Sequence, residues 1–209
     1  MYRTPSAARS HSGWTRGVLA ALIVLALLGV GVMAASASEP LRATFSPASS
    51  RYEVNDEFYV DIRLEDAVDL HAVGIMAHFN PQVLQVSDAD GRADNGVQIV
   101  QRDHVWQGQH PYVCSQCNQV DNVNGVITYT AMLMGEEGVT GSGILAQIPF
   151  RAVGRGLSPL AFDPAETTAD VGNPWVQVTV QVSNGQVQVG PAYTICLPLV
   201  RRALQSHTP

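Results

Sequence analysis

The sequence predicts an all-β protein: an antiparallel β-sandwich of jelly-roll topology with about nine strands. Three observations carry this expectation. Apolar and polar residues alternate with period two from about Leu41 to Val189. No stretch of comparable length shows convincing helical amphipathicity. Turn-forming residues cut the alternating segments into short runs, about eight or nine in roughly 150 residues, a spacing typical of two packed sheets. A chain this long buries about 70% of its unfolded surface, so the core needs neither metal nor disulfide.

The N-terminal segment stands apart from this pattern. Arg3, Arg9 and Arg16 precede one apolar run, Val18 to Met33, and small residues follow, with an A-x-A site at Ala35-Ser36-Ala37. Residues 1–37 are therefore expected to be an export signal that is removed. The competing reading is an uncleaved anchor, for which the run falls short of the roughly 20 apolar residues of a membrane span. No Cys lies near the cleavage site, so lipoprotein processing is not supported. All 12 basic residues are Arg, and nine of them remain after cleavage against all 18 acidic residues, a formal charge of −9. That balance argues against nucleic acid or anionic lipid as partner. The protein is expected to be secreted or held at the cell surface, with no membrane association beyond the signal.

The domain is expected over residues 38–190. Phe58, Val60, Ile62 and Leu64 form one apolar face, with Tyr59, Asp61, Arg63 and Glu65 on the other, as in a strand packed on one side. The same alternation assigns core faces to Val73, Ile75, Ala77 and Phe79, to Leu84 and Val86, to Ile144, Ala146, Ile148 and Phe150, and to Val176, Val178, Val180 and Val182. Pro81 ends the strand before it and holds Asn80 extended. Asn124-Gly125 precedes a β-branched and aromatic strand, Val126 to Thr130. Gly141-Ser142-Gly143 reads as a hairpin turn, and Gly154 with Gly156 marks a turn before Leu160 to Phe162. Asn184-Gly185 predicts a type I′ hairpin joining the Val176 to Val182 run to Val187 and Val189.

Residues 101–124 break the alternation and read as an inserted loop containing His104, Trp106, His110, Tyr112, Cys114 and Cys117. In an exported chain, Cys114-Ser115-Gln116-Cys117 is read as a local disulfide. With His104 and His110 the cysteines also spell H-x5-H-x3-C-x2-C, a zinc alternative, and a redox motif would need a βαβ setting that is not visible. Asp88 to Gly96 clusters oxygens but fails calcium-loop spacing, since Val97 stands where a bidentate Glu is required, so a polar turn is expected. There is no nucleophile elbow, H-E-x-x-H helix or phosphate-binding glycine loop, and adjacent Glu136 and Glu137 would diverge along an extended chain. Catalysis is not expected. No metal or other cofactor is assigned to the chain. Residues 191–209 form a tail containing Cys196, read as forming an intermolecular bond or remaining an idle thiol; the segment is too short to cross a membrane.

Taken together, Asn55-Asp56-Glu57-Phe58-Tyr59-Val60, Asp69-Leu70-His71-Ala72-Val73-Gly74, Phe79-Asn80-Pro81, Gly143 to Ala152 with Gly154 and Gly156, and Ser183-Asn184-Gly185-Gln186-Val187 resemble cohesin domains over about Leu41 to Val189. The resemblance implies a non-catalytic extracellular receptor that docks dockerin-type proteins on a sheet face in polysaccharide degradation. It implies further that any calcium belongs to the dockerin. It places partner contacts at Ala72 and Gly74, where cohesins carry polar residues, and at the acidic pair Glu136 and Glu137. The departures at Ala72 and Gly74 remove two side-chain hydrogen bonds of roughly 0.5–1.5 kcal/mol each. Two other readings stand beside this one. A carbohydrate-binding module would contact polysaccharide directly through Trp106, Tyr112 and Trp175, and a structural adhesion domain would need no enzyme partner.

Overall fold

The computed structural model describes residues 39–191 other than 93, 115 and 136. The expected signal segment, Glu136, and the tail with Cys196 lie outside the described residues. Within them the chain is all β, with no helix and thirteen strands rather than about nine. In order these are β1 (Arg42–Ser46), β2 (Ser49–Tyr52), β3 (Glu57–His78), β4 (Leu84–Val86), β5 (Val100–Gln101), β6 (Asn118–Asp121), β7 (Val126–Met132), β8 (Val139–Ala152), β9 (Gly156–Phe162), β10 (Thr168–Val171), β11 (Val176–Thr179), β12 (Gln181–Ser183) and β13 (Gly185–Val189).

The long β3 serves both layers of the sandwich. Its first half pairs with β1 on one side and β8 on the other, and its second half pairs with β7 on one side and with β10 and β9 on the other. Between the halves, Asp66 and Asp69 take positive φ of 59° and 50°, a conformation that short polar residues tolerate better than most. Their amides are not wasted: Asp66 N donates to Ser142 Oγ at 3.0 Å and Asp69 N to Thr140 Oγ1 at 3.0 Å. The alternation does the rest. Phe58, Val60, Ile62 and Leu64 from the first half, and Val73, Ile75 and Ala77 from the second, all point into one shared core with Tyr129, Leu145, Ile148 and Phe150.

Four local expectations are corrected. Ile144 is only half-buried, because a bulge opposite Ile62 and Arg63 puts Leu145 beside Ala146 on the core side. Gly141-Ser142-Gly143 is no turn; it lies within β8, where a Cβ on Gly143 would come within 2.5 Å of Val105 N, so the glycine makes room for another segment's backbone. Val176 is 56% exposed, because among the described residues β11 is paired only to β10. Asn184-Gly185 makes no hairpin: β12 pairs parallel with β1, while β13 pairs with β9 and, in parallel, with β2. Gly185 is absent from the positive-φ glycines; its missing Cβ instead admits Ala48 O, which would lie 2.9 Å away. The chain changes partners at this dipeptide rather than reversing on itself.

The inserted segment is also partly regular. Its two ends form β5 and β6, and the middle is tied to β8 by Arg102 N donating to Leu145 O (3.1 Å) and Val105 N to Ile144 O (3.3 Å). On its far side it is tied to β7. The segment thus bridges the two layers, with Val105 and Trp106 inserted into the core.

Candidate functional site

The outward side of the second layer is built by alternation. On β3, Val73, Ile75 and Ala77 point inward, which leaves Ala72, Gly74 and Met76 on the outer side. On β7, Ile127, Tyr129 and Ala131 are buried, so Thr128, Thr130 and Met132 face out. Ala169 of β10 is buried, so Thr168 and Asp170 face out. Register aligns them in rows. Met132, Ala72, Asp170 and Gln177 lie side by side across four strands, and Thr130, Gly74, Thr168 and Thr179 form the next row.

Gly74 lies at the centre. A Cβ there would stand 3.6 Å from Thr130 Oγ1 and 3.9 Å from Thr168 Oγ1, ordinary contact distances, and its φ lies outside the left-handed region. Neither backbone conformation nor crowding requires glycine at this position. What the missing side chain does is leave a shallow depression of about 290 Å³, walled by the two threonines and by Met76, Met132 and Glu166. The side chains lining it include two carboxylates, Glu166 and Asp170, and no Arg. Ala72 is buried at 6% exposure beneath its neighbours. The two positions singled out in the sequence therefore share one face, as residues two apart on a strand must.

One end of the face carries a denser cluster. Between Leu70 and Ala72 a register shift against β10 leaves His71 as an extra residue, fully buried, with Nε2 3.3 Å from Asp69 Oδ1. The Trp175 ring lies 5.2 Å from the His71 ring and is 48% exposed. The segment after β7 passes so close that a Cβ on Gly138 would meet Asp69 Oδ1 at 2.3 Å. Glu137, exposed, is next to that contact. Its sequence partner Glu136 lies outside the described residues.

The three aromatic residues considered for glycan binding are not equivalent. Trp106 has no exposed surface, so it is corrected from a stacking residue to a core plug; its indole Nε1 has no hydrogen-bond partner among the described residues. Tyr112 and Trp175 are about half exposed, at 55% and 48%. Cys114 and Cys117 are bonded to one another, S–S 2.04 Å, which leaves no thiolate for the zinc set. In the Asp88 to Gly96 segment the carboxylates accept from donors within the segment or from Gln98 just beyond it. Asp88 Oδ1 accepts from Gln98 N at 3.1 Å, and Asp90 accepts from Asn95 Nδ2 at 2.8 Å and Arg92 N at 3.0 Å, bonds that hold the Asp90 carboxyl below its usual range. Sequence reasoning missed the extension of the outer face by Tyr112, which pairs with Met132 and so joins the first row. Its only signal was the alternation Pro111, Tyr112, Val113 inside a segment otherwise without period.

No family model and no curated protein matches the sequence. Solved structures do match, and they are cohesins. A type I cohesin–dockerin complex of OlpA from Clostridium thermocellum is 14% identical with a TM-score of 0.54, covering 72% of this chain and 99% of the cohesin. A non-cellulosomal cohesin from the archaeon Archaeoglobus fulgidus is 16% identical with a TM-score of 0.54, covering 73% and 93%. A type II cohesin from the cellulosome of Acetivibrio cellulolyticus is 10% identical with a TM-score of 0.56, covering 71% and 95%. The chain has a cohesin-like fold, a jelly-roll β-sandwich.

Proposed function

We propose that the chain is an exported, non-catalytic module that docks a dockerin-type protein on the outward face of β3, β7 and β10, and that it acts in extracellular polysaccharide degradation. The observation that carries this reading is the depression at Gly74, which no other described segment covers, on a fold shared with cohesins solved in complex with dockerins. Small side chains at Ala72 and Gly74 let a partner surface approach the sheet closely, and Met76 and Met132 supply adaptable apolar contact beside it. Hydroxyls of Thr128, Thr130 and Thr168 line the same depression and supply donors and acceptors. The partner's calcium, not one on this chain, would order the docking module.

The test is titration of the chain, without residues 1–37, against a panel of calcium-loaded dockerins by calorimetry, with soluble and insoluble glycans as a separate arm. Saturable 1:1 binding that is lost on calcium chelation and on Gly74→Arg supports the reading. Retention on glycan with no dockerin binding would replace it with direct carbohydrate recognition through Tyr112 and Trp175.

A further inference from the structure

The side of β7 facing away from β3 is paired by two separate pieces of chain. Residues Asn118–Asp121 of β6 lie opposite 126–129, and Tyr112 alone lies opposite Met132, with Tyr112 N donating to Met132 O (2.7 Å) and Met132 N to Tyr112 O (3.0 Å). From Tyr112 to Asn118 the chain advances six residues, while β7 advances three between their partners Met132 and Tyr129. Three residues are therefore in excess and must be looped out between two ladders that have to stay in line. The loop that absorbs them is the Cys114–Cys117 turn: Cys117 N donates to Cys114 O (2.9 Å), Cys117 O accepts from Thr130 N (2.7 Å), and the two sulfurs are bonded.

An edge segment held by one residue pair has few backbone hydrogen bonds to fix its register, and a slip of one residue turns each side chain to the opposite face. Here the consequence is specific. Tyr112 is exposed in the row with Met132 and Ala72, while the residues on either side of it are turned inward, Pro111 buried and Val113 packed against the core. Both cysteines keep part of their surface in solvent, within reach of a small reductant.

We propose that the Cys114–Cys117 bond is a positioning element for the docking face: it fixes the register in which Tyr112 is presented beside Met132, and so makes partner affinity sensitive to the redox state of this pair. The affinity clause rests on the docking reading above; the register clause does not. A dithiol reductant delivers two electrons and two protons, the S–S bond breaks, thiols form on Cys114 and Cys117, and the reductant leaves as its own disulfide.

Amide hydrogen exchange on the chain without residues 1–37 tests the register clause, oxidised, reduced with dithiothreitol, and as the double variant Cys114→Ser/Cys117→Ser. Exchange at Tyr112 and Met132 is expected to quicken by about tenfold or more on reduction and in the variant, with amides of the β3–β8 ladder changed less than about twofold. Unchanged protection at Tyr112 and Met132 overturns the clause, and equal loosening of the β3–β8 ladder reduces the bond to a general stabiliser. Affinity is then measured for the dockerin selected by the titration. Reduction is expected to weaken it by about tenfold, and Tyr112→Ala by a similar factor with no further effect of reductant. Equal affinity in both redox states overturns the affinity clause. If no dockerin binds, that clause falls with the docking reading, while the exchange result still decides the register.

Discussion

Substituting Gly74 separates a docking role from a structural one. Glycine inside a strand costs roughly 0.5–1 kcal/mol relative to alanine, because it gives up more backbone freedom on folding. At Gly74 nothing offsets that cost within the chain: a Cβ would sit 3.6 and 3.9 Å from the two threonine hydroxyls, and the backbone is not left-handed. Gly74→Ala should therefore stabilise the domain by about 0.5–1 kcal/mol, raising Tm by about 1–4 °C for a domain of this size. Gly74→Arg should fold equally well, its long side chain lying over the 290 Å³ depression and into solvent. Its effect should fall on binding, with Kd for a cognate dockerin rising at least a hundredfold, or about 2.7 kcal/mol, through steric exclusion. Differential scanning fluorimetry and calorimetric titration on the same samples measure both quantities. A Tm for Gly74→Ala several degrees below that of the parent would refute the reasoning, since the glycine would then serve the fold; an unchanged Kd for Gly74→Arg would remove docking from this face.

Trp106→Ala should cost about 3–5 kcal/mol, lowering Tm by about 6 °C or more, because it empties the plug between the layers; a surface stacking residue would show almost no change in the same melt. Tyr129→Phe should leave Tm unchanged or slightly raised, since the buried hydroxyl has no hydrogen-bond partner among the described residues and burial pushes its phenol above the ordinary range; a loss above about 1 kcal/mol in urea denaturation would mean that the hydroxyl is satisfied. Asp121 accepts from Asn124 N, Asn124 Nδ2 and Val123 N, bonds that hold its carboxyl below the ordinary aspartate value of 3.8. The sign follows from linkage: a carboxyl with a lowered folded pKa contributes stability that is fully present above 3.8 and lost as pH falls through the lower folded value. The β6–β7 turn should therefore keep its amide protection at pH 5 and lose it at strongly acid pH, whereas Asp121→Asn should be insensitive to pH there; an NMR titration of Asp121 that returned an ordinary carboxylate value would contradict this.

How much of this was legible in the sequence depended on whether the deciding force was local. Period-two alternation alone placed Phe58, Val60, Ile62 and Leu64, and likewise Val73, Ile75 and Ala77, because a strand with one face in the core has no other way to bury them. Alternation failed at Ile144, where one extra residue in β8 shifts the pattern, and such a bulge has no composition of its own. The glycines were misread for a single reason. Asn184-Gly185 and Gly141-Ser142-Gly143 carry turn-forming residues, yet in the structure Gly185 and Gly143 are small because Ala48 and Val105 approach from distant parts of the chain. Trp106 belongs to the same class, since only the path of its segment across both layers decides that it is buried.

The candidate face shows the same division between what is local and what is not. That Ala72 and Gly74 share a side follows from spacing alone; that threonines of β7 and β10 flank the gap required the pairing of three strands far apart in sequence. The departure from polar residues at these two positions then takes on a definite physical meaning. Two side-chain hydrogen bonds are absent, but a depression large enough to receive a side chain stands in their place. A partner suited to this face gains by burying an apolar or hydroxyl-bearing group between Thr130 and Thr168 rather than by hydrogen-bonding to β3 side chains. Fully burying a single large apolar side chain is worth about 1.5–3 kcal/mol, comparable to the two bonds it replaces. If the docking reading holds, the exchange would alter which dockerin fits without lowering the affinity attainable, and a dockerin selected against a polar face should bind weakly here while one with a bulky contact residue binds well.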